Sequence, residues 1–314
     1  MKKVIVIAGP TASGKTALSI ALANAVGGEI VSADSMQIYR GMDIGTAKAT
    51  KEEQSRAVHH MIDIVEPDEA YSVARYVEDG AKCCEDILSR GKIPIITGGT
   101  GLYIDSLISG RDFAQRDEGD EKLRQSLLDE YDAIGAEAMH ERLRSIDPER
   151  AEKLPPGDRR RICRAIEIFM LTGKTASEHD RETQLMPPRY DAARIYLNYK
   201  NRDELYRRID ARVDAMLAQG LEEEVRGLLD RGVDADCTAM QAIGYKETVQ
   251  ALKGEITMAE AAENIKLLSR RYAKRQLTWF RRDKTGFWVE HNSSPDMAEA
   301  LRISTEFLHS RDIS

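Results

Sequence analysis

Long apolar stretches are missing from this chain of 314 residues. None approaches the roughly 18 consecutive apolar residues that a membrane-crossing helix needs, so no membrane span is expected. The start, Met1-Lys2-Lys3 followed by a short apolar run, does not make a secretion signal, because that run passes straight into a glycine loop and reads as a buried strand. Cysteine is scarce. Cys83, Cys84, Cys163 and Cys237 show no metal-ligand spacing, and the adjacent pair in a helical stretch suits reduced cytoplasmic thiols better than a disulfide framework. The six histidines, including His59-His60, form no zinc pattern and read as core or surface residues. Internal repeats and low-complexity tracts are absent too. So is a positive balance: the net charge of −7 excludes a protein that is basic over its whole surface.

What is present is polarity within the chain. Residues 270–284 hold seven basic side chains and one acid, and Arg159-Arg160-Arg161-Ile162-Cys163-Arg164 forms a second cluster. Acid gathers elsewhere, in Glu66-Pro67-Asp68-Glu69 and Glu222-Glu223-Glu224. An acidic protein polarised in this way can still grip nucleic acid with one face. A hydrophobic content of 42% suffices for one large domain, or for a core plus a smaller one.

The strongest local signal is Gly9-Pro10-Thr11-Ala12-Ser13-Gly14-Lys15-Thr16, a G-x-x-x-x-G-K-T loop of the ATP-binding type. It follows the apolar run Val4–Ala8 and opens the helical stretch from Ala17, which is the context the motif requires. Glycines let successive amides turn inward around a polyphosphate, and the new helix aims its positive end there. Lys15 neutralises phosphate oxygens, and the Thr16 hydroxyl is placed to ligate Mg²⁺.

Further strands are expected at 29–33, 61–65, 93–97 and 193–198, with a short last one at 287–289. Short apolar runs alternating with helices predict an α/β fold: a parallel sheet of the P-loop NTPase kind, covered on both sides. Strand signals stop from about 120 to 186, where several amphipathic helices are expected. One is Arg159–Leu171, with Ile162, Ile166 and Phe169 on one face before Gly173. The chain thus divides into a core of residues 1–115 and 190–314 and a helical insertion of residues 116–189. Long helical regions are expected near 202–231 and 257–280.

Strand 29–33 ends in Asp34-Ser35-Met36-Gln37, and strand 93–97 in Gly98-Gly99-Thr100-Gly101. In a parallel sheet the carboxyl ends of neighbouring strands gather beside the phosphate loop. Asp34 is therefore placed as a general base or to hold a magnesium ion indirectly, through its bound water, or as the N-cap of a following helix. The glycines serve a strand-to-helix turn, in which Thr100 offers the hydroxyl.

These segments resemble those of the tRNA dimethylallyltransferases. So do Ile38-Tyr39-Arg40-Gly41-Met42-Asp43-Ile44-Gly45-Thr46-Ala47-Lys48, Asp158–Glu167, Met240–Glu247 and Lys274-Arg275-Gln276-Leu277-Thr278-Trp279-Phe280-Arg281. The resemblance runs in the family's order from residue 4 to about 290 and is to the bacterial form, which lacks a C-terminal zinc finger. It implies transfer of a dimethylallyl group from dimethylallyl diphosphate to N6 of the adenosine 3′ of the anticodon; with the cysteine usage and the Thr16 position, a cytoplasmic enzyme using Mg²⁺ is expected, and a monomer is the default expectation. It further implies Asp34 as base, Lys15 and Thr100 in catalysis, and residues 9–16 with Arg208 and Arg212 on the diphosphate. By the same resemblance the tRNA anticodon stem-loop meets Asp34, Ser35, Met36, Gln37, Thr100, Arg124, Asp158, Arg159, Arg160, Arg161, Ile162, Arg271, Arg275, Gln276, Trp279 and Arg281. Two other classes share the loop: an isopentenyltransferase acting on free adenine nucleotide, and a small-molecule kinase. Neither has a use for the insertion or for the basic segment 270–284.

Overall fold

The computed structural model describes residues 1–110 and 118–313. They form two compact units, residues 1–108 with 189–314 and residues 109–188. The expected boundary at 115/116 falls among residues outside the description, and the observed division comes a few residues earlier, where helix α4 ends.

The first unit is built on six parallel strands in the order β3-β2-β4-β1-β5-β6. In chain order its first half runs β1 (Lys3–Ala8), α1 (Lys15–Val26), β2 (Glu29–Ser32), α2 (Lys51–Arg56), β3 (His59–His60), α3 (Val73–Ser89), β4 (Pro94–Gly98) and α4 (Gly101–Ser109). The second unit supplies α5 (Glu118–Ile134), α6 (Ala136–Ile146), α7 (Pro148–Lys153), α8 (Arg159–Thr172) and α9 (Ala176–Leu185). The first unit resumes with β5 (Asp191–Tyr199), α10 (Arg202–Ala218), α11 (Leu221–Asp230), α12 (Tyr245–Leu252), α13 (Met258–Phe280), β6 (Phe287–His291) and α14 (Met297–Ser310). None of the described helices is long and apolar enough to cross a membrane.

Alternation along β1 explains the layers. Val4, Val6 and Ala8 enter one core with Tyr76, Ile104 and Leu107 from α3 and α4, while Ile5 and Ile7 enter another with Leu18, Leu22 and Leu308 from α1 and α14. Each such side chain taken from water stabilises the fold by about 1.5–3 kcal/mol before entropy is charged. Because both faces are covered, the strands are continuous apolar runs. The ends Ala8 and Gly98 pair directly, and Ser32 pairs with Thr97, so three loops emerge side by side at one rim.

The expected strand 61–65 is not formed. Met61 and Asp63 adopt φ of 61° and 53°, which breaks an extended run. The edge strand is His59–His60 instead, and Val65 makes only an isolated bridge to Tyr39. The helical region 202–231 is two helices, interrupted at Gly220 with φ 100°. Helix 257–280 is continuous and starts with a capping box from Thr257 and Glu260.

The insertion has its own core, in which Leu127, Met139, Leu143, Ile162 and Ile166 are buried. Helix α8 is capped by Asp158, which accepts from the Arg161 amide at 3.3 Å, and it ends at left-handed Gly173. The chain leaves the first unit after Ile108 and re-enters at Arg189, whose N–H donates to the Ile108 carbonyl at 2.8 Å.

Candidate active site

The loop after β1 has the backbone of an anion cradle. Ala12 and Gly14 are both left-handed, with φ of 63° and 92°, and α1 begins at Lys15 without any side-chain cap. Its N-terminal amides therefore keep their capacity for an external anion. Lys15 folds back over the loop and donates to the Pro10 carbonyl at 2.7 Å. The Thr16 side chain is half-buried, and its hydroxyl has no partner among the described residues.

Positive charge accumulates here without balance. Arg208 and Arg212 lie half-buried on α10. Arg208 reaches towards the Ala12 carbonyl at 3.5 Å and lies 5.7 Å from the Tyr199 ring centre. Burial, then the charge of Arg212, brings the Lys15 ammonium down to about 7, with Asp34 opposing. Burial and Arg208 in turn lower Arg212. Three basic side chains thus face two carboxylates, Asp34 and Glu53, an excess of positive charge that marks a place built for an anion.

Asp34 is half-buried at the end of the second strand's loop. Its Oδ1 accepts from the Met36 amide at 2.9 Å, closing a local turn. The residues that follow are turns, so the helix-cap alternative does not apply. Desolvation raises the Asp34 pKa above the ordinary carboxylate value, while the Met36 amide and Lys15 oppose the rise. Thr100 Oγ1 accepts from the Ser35 amide at 3.1 Å, which ties the β4 turn to the β2 loop.

Helix α13 closes this rim with one stripe of side chains, Tyr272, Gln276 and Trp279. Tyr272 stands near Asp34 and Thr100. Burial and the Asp34 charge push its phenol up to about 12, with Thr100 opposing. Gln276 is buried, accepting from the Thr11 amide at 2.9 Å and donating to the Gly99 carbonyl at 3.0 Å. Trp279 donates to Asp105 Oδ2 at 2.7 Å. The two glycines of the turn are required by this packing. A Cβ on Gly99 would stand 2.2 Å from Gln276 Nε2, and one on Gly101 2.3 Å from the Trp279 ring.

The segment after Asp34 is held from behind. Gln37 Nε2 donates to the Thr46 and Ala47 carbonyls at 3.2 and 3.3 Å, while its Oε1 accepts from Ser32 at 3.1 Å. Glu224 gathers three successive amides, Asp43 and Ile44 on Oε2 at 2.9 and 2.8 Å and Gly45 on Oε1 at 3.2 Å. Buried Lys48 bonds the Tyr39 carbonyl at 2.8 Å and the carboxylates of Asp43 and Asp63 at 2.6 Å each. Met36 is half-buried and packs on the neighbouring apolar cluster.

Sequence reasoning missed Tyr199 and His291 beside the loop. Both are buried, and the Tyr199 hydroxyl and His291 Nε2 have no partner among the described residues. So does the Ser13 hydroxyl. Burial and Arg208 lower the His291 pKa, which favours the neutral ring. Their only sequence signal was a position at the carboxyl ends of β5 and β6.

The basic residues sort by partner. On α13, Arg270 is committed to Asp210 at 2.6 and 2.7 Å, whereas Arg271, Lys274 and Arg275 are exposed. Arg275 lies over the Tyr272 ring at 5.5 Å, and Arg281 is exposed just past the helix. Within the insertion, Arg124 and Arg164 pair with buried Glu167, at 3.1 and 2.9 Å. Arg159 bonds the Leu128 carbonyl at 3.1 Å and pairs with Asp132, and Arg161 pairs with Asp158. Arg160 is exposed and makes no ion pair among the described residues. Ile162 is fully buried in the insertion's core, so it supports this surface and is not part of it.

Comparison with known proteins gives one answer. The sequence profile of the IPP transferase family matches residues 37–283, and that of isopentenyl transferase matches residues 2–63. The tRNA dimethylallyltransferase of Geobacter sulfurreducens is 48% identical over 301 residues, 96% of each chain. That of Caldanaerobacter subterraneus subsp. tengcongensis is 49% identical over 280 residues, 89% of each. Among solved structures, the tRNA isopentenylpyrophosphate transferase of Bacillus halodurans is similar with a TM-score of 0.72 and 39% identity, covering 99% of this chain and 98% of that one. A eukaryotic dimethylallyltransferase acting on tRNA is similar with a TM-score of 0.82 and 31% identity, covering 99% of this chain and 80% of that one.

Proposed function

The chain belongs to the tRNA dimethylallyltransferase family, and from that premise we propose how its residues divide the work of dimethylallyl transfer to tRNA. The enzyme is a prenyl transferase. Its donor is dimethylallyl diphosphate, and its acceptor is N6 of the adenosine 3′ of the anticodon. The acceptor nitrogen attacks the allylic C1 while the C1–O bond to diphosphate breaks. Positive charge develops on carbon and negative charge on the departing oxygens.

The unbalanced cluster of Lys15, Arg208 and Arg212 around the loop carries this reading, because it is complementary to a leaving diphosphate. An adenine amino group is a poor nucleophile, so Asp34 accepts the N6 proton as the C–N bond forms. Its raised pKa makes it a stronger base, and the nearby Lys15 charge opposes that rise. Thr100, anchored to the Ser35 amide, offers its hydroxyl on the same side. The unpartnered Thr16 hydroxyl is the side chain that would hold Mg²⁺ beside the diphosphate. The described residues hold no cluster of three or more His, Cys, Asp or Glu to cage the ion by themselves. When bound, Mg²⁺ would supply further neutralisation of the leaving group.

Exposed Arg271, Arg275 and Arg281, with Arg160 on the insertion, serve the phosphates of the anticodon stem-loop. Arg124, Asp158, Arg159 and Arg161 shape that surface through their pairs. Gln37 acts by holding the loop behind Asp34, Ser35 and Met36. The test is transfer of radiolabelled dimethylallyl from its diphosphate to unmodified tRNA. Label in tRNA but not in free AMP supports the proposal, and label in AMP alone refutes it.

A further inference from the structure

We propose that Gln276 is a positioning residue whose buried amide sets the spacing between the phosphate loop and the turn that carries Thr100. The proposal rests on the reaction proposed above, in which the leaving group sits on the first loop and the acceptor side on the second. It assigns Gln276 a role other than the direct tRNA contact that the resemblance implies.

The two loops need such a tie. Strands β1 and β4 pair only as far as Ala8 and Gly98. Beyond that pair no backbone hydrogen bond joins residues 9–13 to residues 99–101 among the described residues. Gln276 bridges the gap from above: Oε1 accepts from Thr11 N–H at 2.9 Å and Nε2 donates to the Gly99 carbonyl at 3.0 Å. The amide orientation is fixed, because Thr11 can only donate there and Gly99 only accept. Only 5% of the residue is exposed, so it presents little surface to a macromolecule. Gly99 leaves space for the amide, since any Cβ would collide with it. On either side along the helix, Tyr272 and Trp279 hold α13 on the same rim, which gives the bridge a rigid base.

The chemical consequence follows from the tolerance of displacement reactions. Reacting atoms must be held about 3–3.5 Å apart and aligned, and a 1 Å misplacement can cost about a hundredfold in rate. A tie between the leaving-group loop and the acceptor-side turn therefore affects the chemical step more than the affinity for either substrate.

Three variants, read by rate, affinity and amide exchange, test this. Gln276→Ala should lower kcat by roughly 10–100-fold, while the Kd for dimethylallyl diphosphate and for tRNA each change by less than about threefold. Gln276→Asn, one methylene short, should not restore the rate. In Gln276→Glu one oxygen still accepts from Thr11, but the other faces the Gly99 carbonyl until it is protonated. Its rate relative to the unaltered enzyme should therefore climb as pH falls from 8 to 6, whereas that of the alanine variant stays flat. Amide exchange at Thr11, followed by NMR in the protein without substrates, should quicken at least tenfold in Gln276→Ala. That readout needs no activity, so it reports on the tie even if the unaltered protein fails to prenylate tRNA. A kcat within twofold of normal with unchanged exchange at Thr11 would overturn the proposal. So would a loss confined to tRNA affinity, which would restore the direct-contact role.

Discussion

Replacing Asp34 by asparagine separates chemistry from architecture at one atom. Asparagine keeps an Oδ1 that accepts from the Met36 amide, so the turn bonded at 2.9 Å persists. What disappears is the basic carboxylate. A positioned base contributes about 10²–10⁴-fold, equivalent to roughly 2.7–5.5 kcal/mol at about 1.36 kcal/mol per decade. Asp34→Asn should therefore slow single-turnover transfer by that factor at saturating dimethylallyl diphosphate. Melting temperature should not fall, because burying a neutral amide in place of a carboxylate removes desolvation cost. Asp34→Ala loses the turn as well and should be less stable by about 0.5–1.5 kcal/mol. The pH profile supplies the second check. Since the carboxyl pKa is raised, the rate of the unaltered enzyme should fall as pH drops through that raised value, where the base protonates. The asparagine variant should lack this acidic limb. Rates within threefold of normal for Asp34→Asn, combined with a slow Asp34→Ala, would reduce Asp34 to a turn residue and refute the base assignment.

Other consequences are open to measurement. With Lys15 near 7 in the free protein, binding of inorganic diphosphate at pH 8 should take up close to one proton, and below about pH 6 almost none. Calorimetry in buffers of different ionisation enthalpy reads the difference, and Lys15→Ala should abolish it. Tyr199→Phe removes a buried hydroxyl without an internal partner, so it should weaken dimethylallyl diphosphate binding by about tenfold and leave the melting temperature unchanged. An unaltered Kd would show that this hydroxyl does not reach the donor. Neutralising Arg271 with Arg275, or Arg160 alone, should flatten the salt dependence of tRNA binding by about one unit of log–log slope per lost contact. Neutralising Arg270, already held by Asp210, should change the slope little.

The glycine loop between a strand and a helix, the layered parallel sheet and the helical segment that interrupts it were legible because each rests on local pattern. A glycine motif between a strand and a helix, apolar runs and 3.6-residue periodicity all lie within a short window of sequence. The edge strand was misplaced because positive φ at Met61 and Asp63 has no signature in those residue types. Glu224 read as part of an acidic surface run, yet it binds amides some 180 positions earlier in the chain. Gln276 and Trp279 looked like members of a basic, nucleic-acid-facing segment, because helical spacing alone cannot say which stripe of α13 turns inward. Ile162 was drawn into the tRNA surface by its arginine neighbours, although its own side chain is core. Partner choice for Arg124, Arg159 and Arg270 was likewise invisible, since it depends on Glu167, Asp132 and Asp210, which lie on another helix.

The junction at Ile108 and Arg189 makes the insertion exchangeable. Its two ends meet within the first unit, where the Arg189 and Tyr190 amides donate to the Ile108 carbonyl at 2.8 and 3.4 Å, so the sheet presents the joint of an ordinary short turn. Lengthening a closed loop is cheap, about 0.6 kcal/mol per doubling. Growing from a turn of about five residues to the eighty between these ends therefore costs the core only about 2–3 kcal/mol. A lineage or a designer can thus trade one helical cassette for another at this point, while the loops at the rim of the sheet keep their sequence and register. The same joint allows a reduced enzyme with a short turn in place of residues 109–188, in which catalysis on a minimal acceptor could be studied apart from tRNA recognition.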